Sequence, residues 1–264
     1  MHLSYKLKTG ELQLNYSKRV HRAEGDDLNP FPEFQDPRNL RAGNPKLLPE
    51  IIHSVEFGYK WQHAKFSFVP SLYFRYKQNG FTTVTIPLND STLLTTQQNL
   101  SNDKSTGLEL IFSVKAGKFL SANLSSNFFY NQIDASGLGY ATRKSIVSMS
   151  TNFNATVTLT KTTMLQLSSN YRSARLTPQG KVFGSIVVNT GMRQDLFKKK
   201  MSIIFTVSDL FKTLQQRSEL NTLYLKQVAV GRRDAGIFYA GISVRFGRMI
   251  KKPADEKLQF DNTL

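Results

Sequence analysis

Leu108-Glu109-Leu110-Ile111-Phe112-Ser113-Val114-Lys115, then Ala116-Gly117-Lys118, then Leu120-Ser121-Ala122-Asn123-Leu124-Ser125-Ser126-Asn127-Phe128-Phe129-Tyr130-Asn131 reads as two strands and the turn between them. In the first, Leu108, Leu110, Phe112 and Val114 share a face against Glu109, Ser113 and Lys115, with Ile111 the exception. In the second, Leu120, Ala122, Leu124, Phe128 and Tyr130 oppose Ser121, Asn123, Ser125, Asn127 and Asn131. Side chains of an extended chain alternate between faces, so this period of two marks a sheet with one apolar and one polar side.

The same pattern continues outward. Val147, Met149, Phe153, Ala155, Val157 and Leu159 alternate with Ser148, Ser150, Asn152, Asn154, Thr156 and Thr158. Leu165 and Leu167 alternate with Gln166 and Ser168, and Tyr171 with Asn170 and Arg172. A soluble sandwich also alternates, but here the polar face is rich in Asn, Ser, Thr and Gln, as a hydrated lumen requires. The strands run about 10 to 14 residues, against roughly 5 or 6 in soluble sheets.

The connections alternate in length. Short turns fall near Lys8-Thr9-Gly10, Gln62-His63-Ala64, Ala116-Gly117-Lys118, Lys161-Thr162-Thr163 and Lys198-Lys199-Lys200. Long polar connections fall at Arg22 to Glu50, Asn79 to Ser105, Ile133 to Lys144, Leu176 to Lys181 and Lys212 to Ala235, the last with room for a short helix or extended arm within Lys212 to Arg233. Short turns at one end and long loops at the other are the signature of an outer-membrane barrel, with turns in the periplasm. The expected fold is all-β: a partial antiparallel transmembrane β-barrel of about ten or eleven strands, the first truncated at Met1. Aromatics sit where interfacial girdles belong, with Tyr59 and Trp61 before a short turn and Phe74, Tyr76, Phe128 and Tyr130 before long loops.

Composition permits this reading. Among 264 residues, 40% are hydrophobic, and mean hydropathy is −0.33. No stretch approaches the roughly 18 apolar residues of a spanning helix, but a barrel strand shows lipid only every second residue. The absence of cysteine excludes disulfides and thiolate metal sites. A net charge of +16 raises nucleic acid as a partner. The basic residues are scattered, however, and no reading motif accompanies them, so no nucleic-acid partner is expected. Met1-His2-Leu3-Ser4-Tyr5-Lys6 lacks the basic and apolar regions of a signal peptide, so a processed or truncated piece is expected. Gly236 to Gly247 reads as a terminal strand with Phe238, Ala240, Ile242, Val244 and Phe246 on one face. The domain division expected is a barrel segment over 1–247 and a charged tail over 248–264.

Three stretches carry a family resemblance. Tyr16-Ser17-Lys18-Arg19-Val20-His21-Arg22 leads into Asp27-Leu28-Asn29-Pro30-Phe31 and then Gly43-Asn44-Pro45-Lys46-Leu47-Leu48-Pro49-Glu50. Val207-Ser208-Asp209-Leu210-Phe211-Lys212-Thr213 and Ser243-Val244-Arg245-Phe246-Gly247 follow in the same order. Together they resemble the C-terminal half of TonB-dependent receptor barrels, in particular the Bacteroidetes outer-membrane β-barrel family. Asn44-Pro45 and Leu48-Pro49 independently favour extended chain over helix, so the loop re-enters the wall at Glu50 as a strand. A rigid loop without ligand contact is the expected role of these residues.

The resemblance implies a receptor that imports a scarce small nutrient. Its N-terminal plug, its TonB-engaging motif and the remaining strands of a wall of about twenty-two would lie outside this chain. The expected partners are outer-membrane lipid, the rest of the receptor, the TonB system through that N-terminal part, and an unidentified nutrient. The alternative is a self-contained smaller barrel acting as a passive pore or structural protein. Either resides in the bacterial outer membrane.

Catalysis is not expected. His2, His21, His53 and His63 are dispersed without metal-ligand spacing, and no G-x-S-x-G elbow or glycine-rich phosphate loop occurs. Asp209 and Glu219 lie near a loop and are expected to be solvated acids. Glu56, Glu109, Arg75, Lys77, Arg172 and Arg193 fall on the lumen-side phase, where charges pair or face water. No catalytic, cofactor or metal residue is assigned, and the ligand-binding residues are not legible.

Overall fold

The alternating stretches pair with their neighbours in chain order. The structure, a computed structural model, describes residues 1–134, 136, 144–222, 225–232 and 236–246. Its strands are β1 (His2–Lys6), β2 (Gly10–His21), β3 (Glu33–Asp36), β4 (Asn39–Arg41), β5 (Glu50–Gln62), β6 (Phe66–Pro87), β7 (Leu93–Ala116), β8 (Leu120–Asp134) and β9 (Lys144–Thr158). Then come β10 (Thr163–Arg172), β11 (Arg175–Thr177), β12 (Gly180–Val182), β13 (Ser185–Leu196), β14 (Met201–Ser208), β15 (Gln215–Asn221), β16 (Lys226–Arg232) and β17 (Ile237–Val244). One helical turn, α1, covers Gly25–Leu28. Among the described residues no helix is long and apolar enough to cross a membrane.

The wall runs β1-β2-β5-β6-β7-β8-β9-β10-β13-β14-β17, the eleven strands the alternation predicts, and β3 and β4 join the same sheet off this path, β4 pairing in parallel with β7. Every neighbouring pair along it is antiparallel. The five short turns fall at the predicted places. At 197–200, Phe197, Lys198 and Lys199 are consecutive left-handed residues, with φ of 50°, 55° and 69°. Each such non-glycine residue costs about 1 kcal/mol, which the closed hairpin offsets.

Register keeps the two faces separate across the whole wall. Leu3, Leu14, Phe57, Leu72, Leu108, Phe128 and Met149 lie opposite one another in turn across seven strands. Leu120, Val157, Leu165, Met192, Phe205 and Ala240 continue an apolar row on the same face to β17. The other face reads Gly58, Ser71, Glu109, Asn127, Ser150, Arg172 and Ser185. A one-residue slip in any strand would exchange the faces, so the pattern itself enforces the register.

Burial is the reverse of a water-soluble sheet. Among the described residues the buried apolar side chains are Tyr73, Val84 and Ile133. Ser54, Ser148, Gln166, Asn189, Ser202 and Thr206 are buried on the polar face, while Phe57, Leu72, Phe205 and Ile242 stand exposed on the other. In water that apolar face would forfeit about 25 cal/mol for each Å² left uncovered. Against hydrocarbon it forfeits nothing.

The long connections depart from expectation in two places. Residues 79–105, read as loop, are mostly strand: β6 and β7 continue as a tall hairpin in which Thr85 faces Thr95 and Pro87 faces Leu93. A bulge between Lys77 and Gly80, with Asn79 at φ 53°, separates this outer part from the wall below. Beyond the membrane neither face needs lipid, so the threonine-rich sequence lost the alternation that identified strands elsewhere. Second, the stretch 212–233, open to a short helix or an extended arm, is extended among its described residues and does more than reach out as an arm. These form β15 and β16, which join β11 and β12 in a separate four-stranded sheet, so the segment Leu176–Lys181 is also a hairpin. The connection Ile133–Lys144 and the tail 248–264 lie largely or wholly outside the described residues.

Candidate functional site

Inward-facing side chains from β5, β6, β7 and β8 converge beneath the outer connections. Arg75 Nη2 contacts Glu56 Oε1 at 3.2 Å. Lys77 Nζ lies 3.0 Å from Asp103 Oδ2 and 3.7 Å from Glu50 Oε1. Glu50 meets His21 Nδ1 at 3.0 Å and accepts the Phe81 backbone N–H at 2.5 Å. This carboxylate therefore ties the start of the tall hairpin's outer part to the wall. The Tyr73 hydroxyl donates to Asn127 Oδ1 at 3.1 Å, and the Arg75 guanidinium lies 4.4 Å from the Tyr73 ring centre.

Tyr73, Arg75, Lys77, Asp103 and Asn127 line a cavity of about 330 Å³ with Ser105, Asn131 and Phe129 on its wall. Asp103 Oδ1 is buried and has no protein partner. A buried carboxylate oxygen without a donor is costly, so the arrangement favours a ligand or water that supplies an N–H or O–H. Arg75, Asn127 and Asn131 supply donors in return. The chemistry available is orientation and binding through hydrogen bonds.

The first outer connection is bonded to itself and to the wall. Gly43 N–H donates to the Asn29 carbonyl and Asn44 N–H to the Asp27 carbonyl, each at 2.6 Å. A Cβ at Gly43 would lie 2.5 Å from the Asp27 carbonyl oxygen, so glycine is required at this crossing. The Asn44 amide reaches the Gln97 carbonyl at 3.0 Å, and Asn99 bonds both the backbone N–H and the carbonyl of Leu48. The segments 27–31 and 43–50 thus clamp each other and β7, which supports their reading as a rigid loop. A second cavity, about 380 Å³, opens between this loop and the hairpin at Asp27, Arg41, Thr83, Thr95 and Gln97.

Gln179 makes a longer connection. Its Oε1 accepts the Thr85 N–H at 2.8 Å and its Nε2 donates to the Thr85 carbonyl at 3.3 Å. β6 and β10 are four strand spacings apart, about 19 Å along a flat sheet. The hairpin of β11 and β12 therefore leans over the inner side to meet the hairpin of β6 and β7.

The sequence candidates fall as follows. Glu56, Arg75 and Lys77 meet in the inner cluster; Glu109 and Arg172 share the inner face without joining it. Arg193 lies near the short-turn end, where its Nε donates to Asp195 at 2.9 Å. The histidines stay apart: His2 is beside Asn15, His53 lies 2.9 Å from the Tyr16 hydroxyl, and His63 stacks on Phe66. Asp209 corrects an expectation, because it is buried rather than solvated. Its carboxylate accepts Thr213 N–H and Leu214 N–H, each at 2.9 Å, and locks the corner after β14. Glu219 is half-buried in β15, opposite Lys181 of β12. Glu50, Tyr73 and Asp103 were not singled out from sequence. Strand phase could have found the first two; Asp103 lay in the segment read as loop.

A long wall, apolar outside and polar within, with short turns at one end and folded connections at the other, is a segment of a bacterial outer-membrane β-barrel. The profile of the outer membrane protein beta-barrel family matches residues 1–243, and the chain belongs to that family. No curated protein matches it. Solved structures do. The siderophore receptor PirA from Pseudomonas aeruginosa aligns with a TM-score of 0.59 at 12% identity, over 81% of this chain and 38% of that one. The copper transporter OprC aligns at 0.62 and 13% identity, over 93% and 38%. The ferric yersiniabactin uptake receptor FyuA from Yersinia pestis aligns at 0.60 and 14% identity, over 91% and 35%. At such identities the likeness shows the fold. The chain spans under two-fifths of the length of these three proteins. Its place is the bacterial outer membrane.

Proposed function

We propose that this chain is the C-terminal part of the wall of a TonB-dependent-type receptor, of the Bacteroidetes kind its loop sequence resembles, and serves uptake of a small nutrient. The observation that carries the reading is the polar cavity on the inner face, where Asp103 keeps a buried oxygen without a protein donor near a first outer connection bonded to the wall. A passive pore has no need to tie three outer segments together above a buried, unpaired acceptor.

The wall's ends support a larger parent. Among the described residues β1 pairs with β2 alone and β17 with β14 alone, leaving one side of each unpaired. Unpaired amides and carbonyls in hydrocarbon cost several kcal/mol each, which supports a parent in which further strands complete the sheet. The plug and the segment engaging the energy-transducing partner would belong to that remainder. The chain's own role is binding and enclosure without catalysis.

Uptake is the test. Cells producing the whole receptor should take up a cognate ligand, screened first among ferric siderophores and copper complexes, and an uncoupler of the inner membrane should abolish uptake. Asp103→Asn should weaken binding while leaving the protein in the outer membrane. Uncoupler-insensitive, non-saturating entry would establish the pore instead. Esterase or protease turnover lost on substituting a Ser, Asp or His would overturn the non-catalytic reading.

A further inference from the structure

We propose that the short-turn rim of this wall is a binding surface for anionic phospholipid headgroups of the periplasmic leaflet. In the inner cluster Arg75 and Lys77 are matched by Glu56, Glu50 and Asp103, and the most one-sided share of the chain's +16 charge lies at this rim. The first turn carries Lys8, the second Lys65, the third Lys118 and the fourth Lys161; the fifth carries Lys198, Lys199 and Lys200. All are exposed, and no Asp or Glu occurs in any of the five turns. Among the described residues none of these lysines makes an ion pair within 4 Å; the nearest acid influence is Asp195 at the end of β13, which attracts Lys199 and is itself bonded to Arg193 and Ser202. The outer connections differ: Glu24, Asp26, Asp27, Glu33 and Asp36 sit among the arginines of the first one alone.

Spacing favours a planar anionic surface over a compact partner. The turns join strands that follow one another along the wall, so successive turns stand two strand spacings, about 10 Å, apart. The lysines thus form a line across ten strands, each turn one Debye length from the next. Apolar side chains share the level. Phe119 and Phe197 lie within the turns with their rings exposed, and Trp61 and Phe66 flank the second turn in edge contact, centroids 4.9 Å apart. An aromatic at the hydrocarbon boundary fixes the depth, and a lysine beside it then reaches the phosphate layer.

Native mass spectrometry of the whole receptor with phosphatidylglycerol or phosphatidylethanolamine tests this. The wild type should retain phosphatidylglycerol preferentially. At about fivefold per lysine, Lys198→Gln, Lys199→Gln and Lys200→Gln together should lower that preference at least tenfold. Adding Lys8→Gln, Lys65→Gln, Lys118→Gln and Lys161→Gln should abolish it, and Arg22→Gln, Arg38→Gln and Lys46→Gln in the outer connection should not alter it. Heat-modifiable migration checks folding; if the sevenfold variant misfolds, the triple decides. Equal retention of both lipids by the wild type, or a preference surviving the triple variant, overturns the proposal. So does displacement by inorganic phosphate beyond that by chloride at equal ionic strength, which would mean an isolated phosphate site, or tighter capture of polyglutamate than of phosphatidylglycerol vesicles. Failure of the wild type to insert into any vesicle would instead refute the membrane reading on which this inference rests.

Discussion

Replacing Leu72 with arginine, and in parallel Ser71 with arginine, sets the membrane reading against a soluble sheet in one experiment. Leu72 lies on the apolar face between Phe57 and Leu108, with 58% of its surface exposed. It stands six residues beyond Phe66, where β6 leaves its short turn. At about 3.3 Å per residue and a tilt of about 40°, that is roughly 15 Å into an apolar band about 25 Å tall, near the bilayer midplane. An arginine facing lipid at that depth costs about 2–4 kcal/mol. Ser71, one residue away, faces Gly58 and Glu109 on the inner side. There an arginine meets water and a carboxylate, and should cost under about 1 kcal/mol. In a soluble sheet the order reverses: an arginine at exposed position 72 is tolerated, and one at 71 is not. Equilibrium unfolding from phospholipid vesicles, followed by the emission of Trp61, the single tryptophan, measures both. Leu72→Arg destabilising less than Ser71→Arg would refute the assignment of faces.

Three further outcomes follow from the geometry. Asp209→Ala removes the acceptor for the Thr213 and Leu214 amides, so it should cost about 2–3 kcal/mol and open the corner after β14 to protease, with Asp209→Asn milder. Gly107→Ala places a Cβ 2.6 Å from the Tyr73 hydroxyl and 2.7 Å from the Phe128 carbonyl, and the latter cannot yield; unfolding should show a loss of about 1–3 kcal/mol. The Arg38 backbone N–H, and after it the Asn39 side chain, hold the Asp36 carboxyl below the usual range. Because the folded value is depressed, the contribution of this turn is complete above the ordinary Asp range and fades as pH falls through the folded value. Exchange of the Arg38 amide should accelerate over that acidic window and not near neutrality.

The wall was legible because its signal is local. Leu108 to Val114 and Leu120 to Tyr130 show their faces without knowledge of any partner, and lysine- or glycine-bearing triplets mark the short turns. Outer strands were missed for the opposite reason. In Leu93 to Ser101, threonine, glutamine and asparagine fill both phases, and only pairing with Gly80 to Pro87 makes the segment a strand. Asp209 looked like an ordinary loop acid, since burial depends on the corner that its own carboxylate closes.

From the amino-acid order alone came the number of spanning strands, the side each presents to lipid, and which end carries the short turns. A period of two is a property of the extended chain, and hydrocarbon tolerates no error in it. The tertiary structure decided what the inner side holds. Glu50, Lys77 and Asp103 stand on three different strands, and their meeting depends on the register of β5 on β6 and of β6 on β7. The reach of Gln179 to Thr85, 94 residues away, depends likewise on how far the outer hairpins lean. Such contacts are set by the summed geometry of many pairings, which no local stretch of sequence encodes.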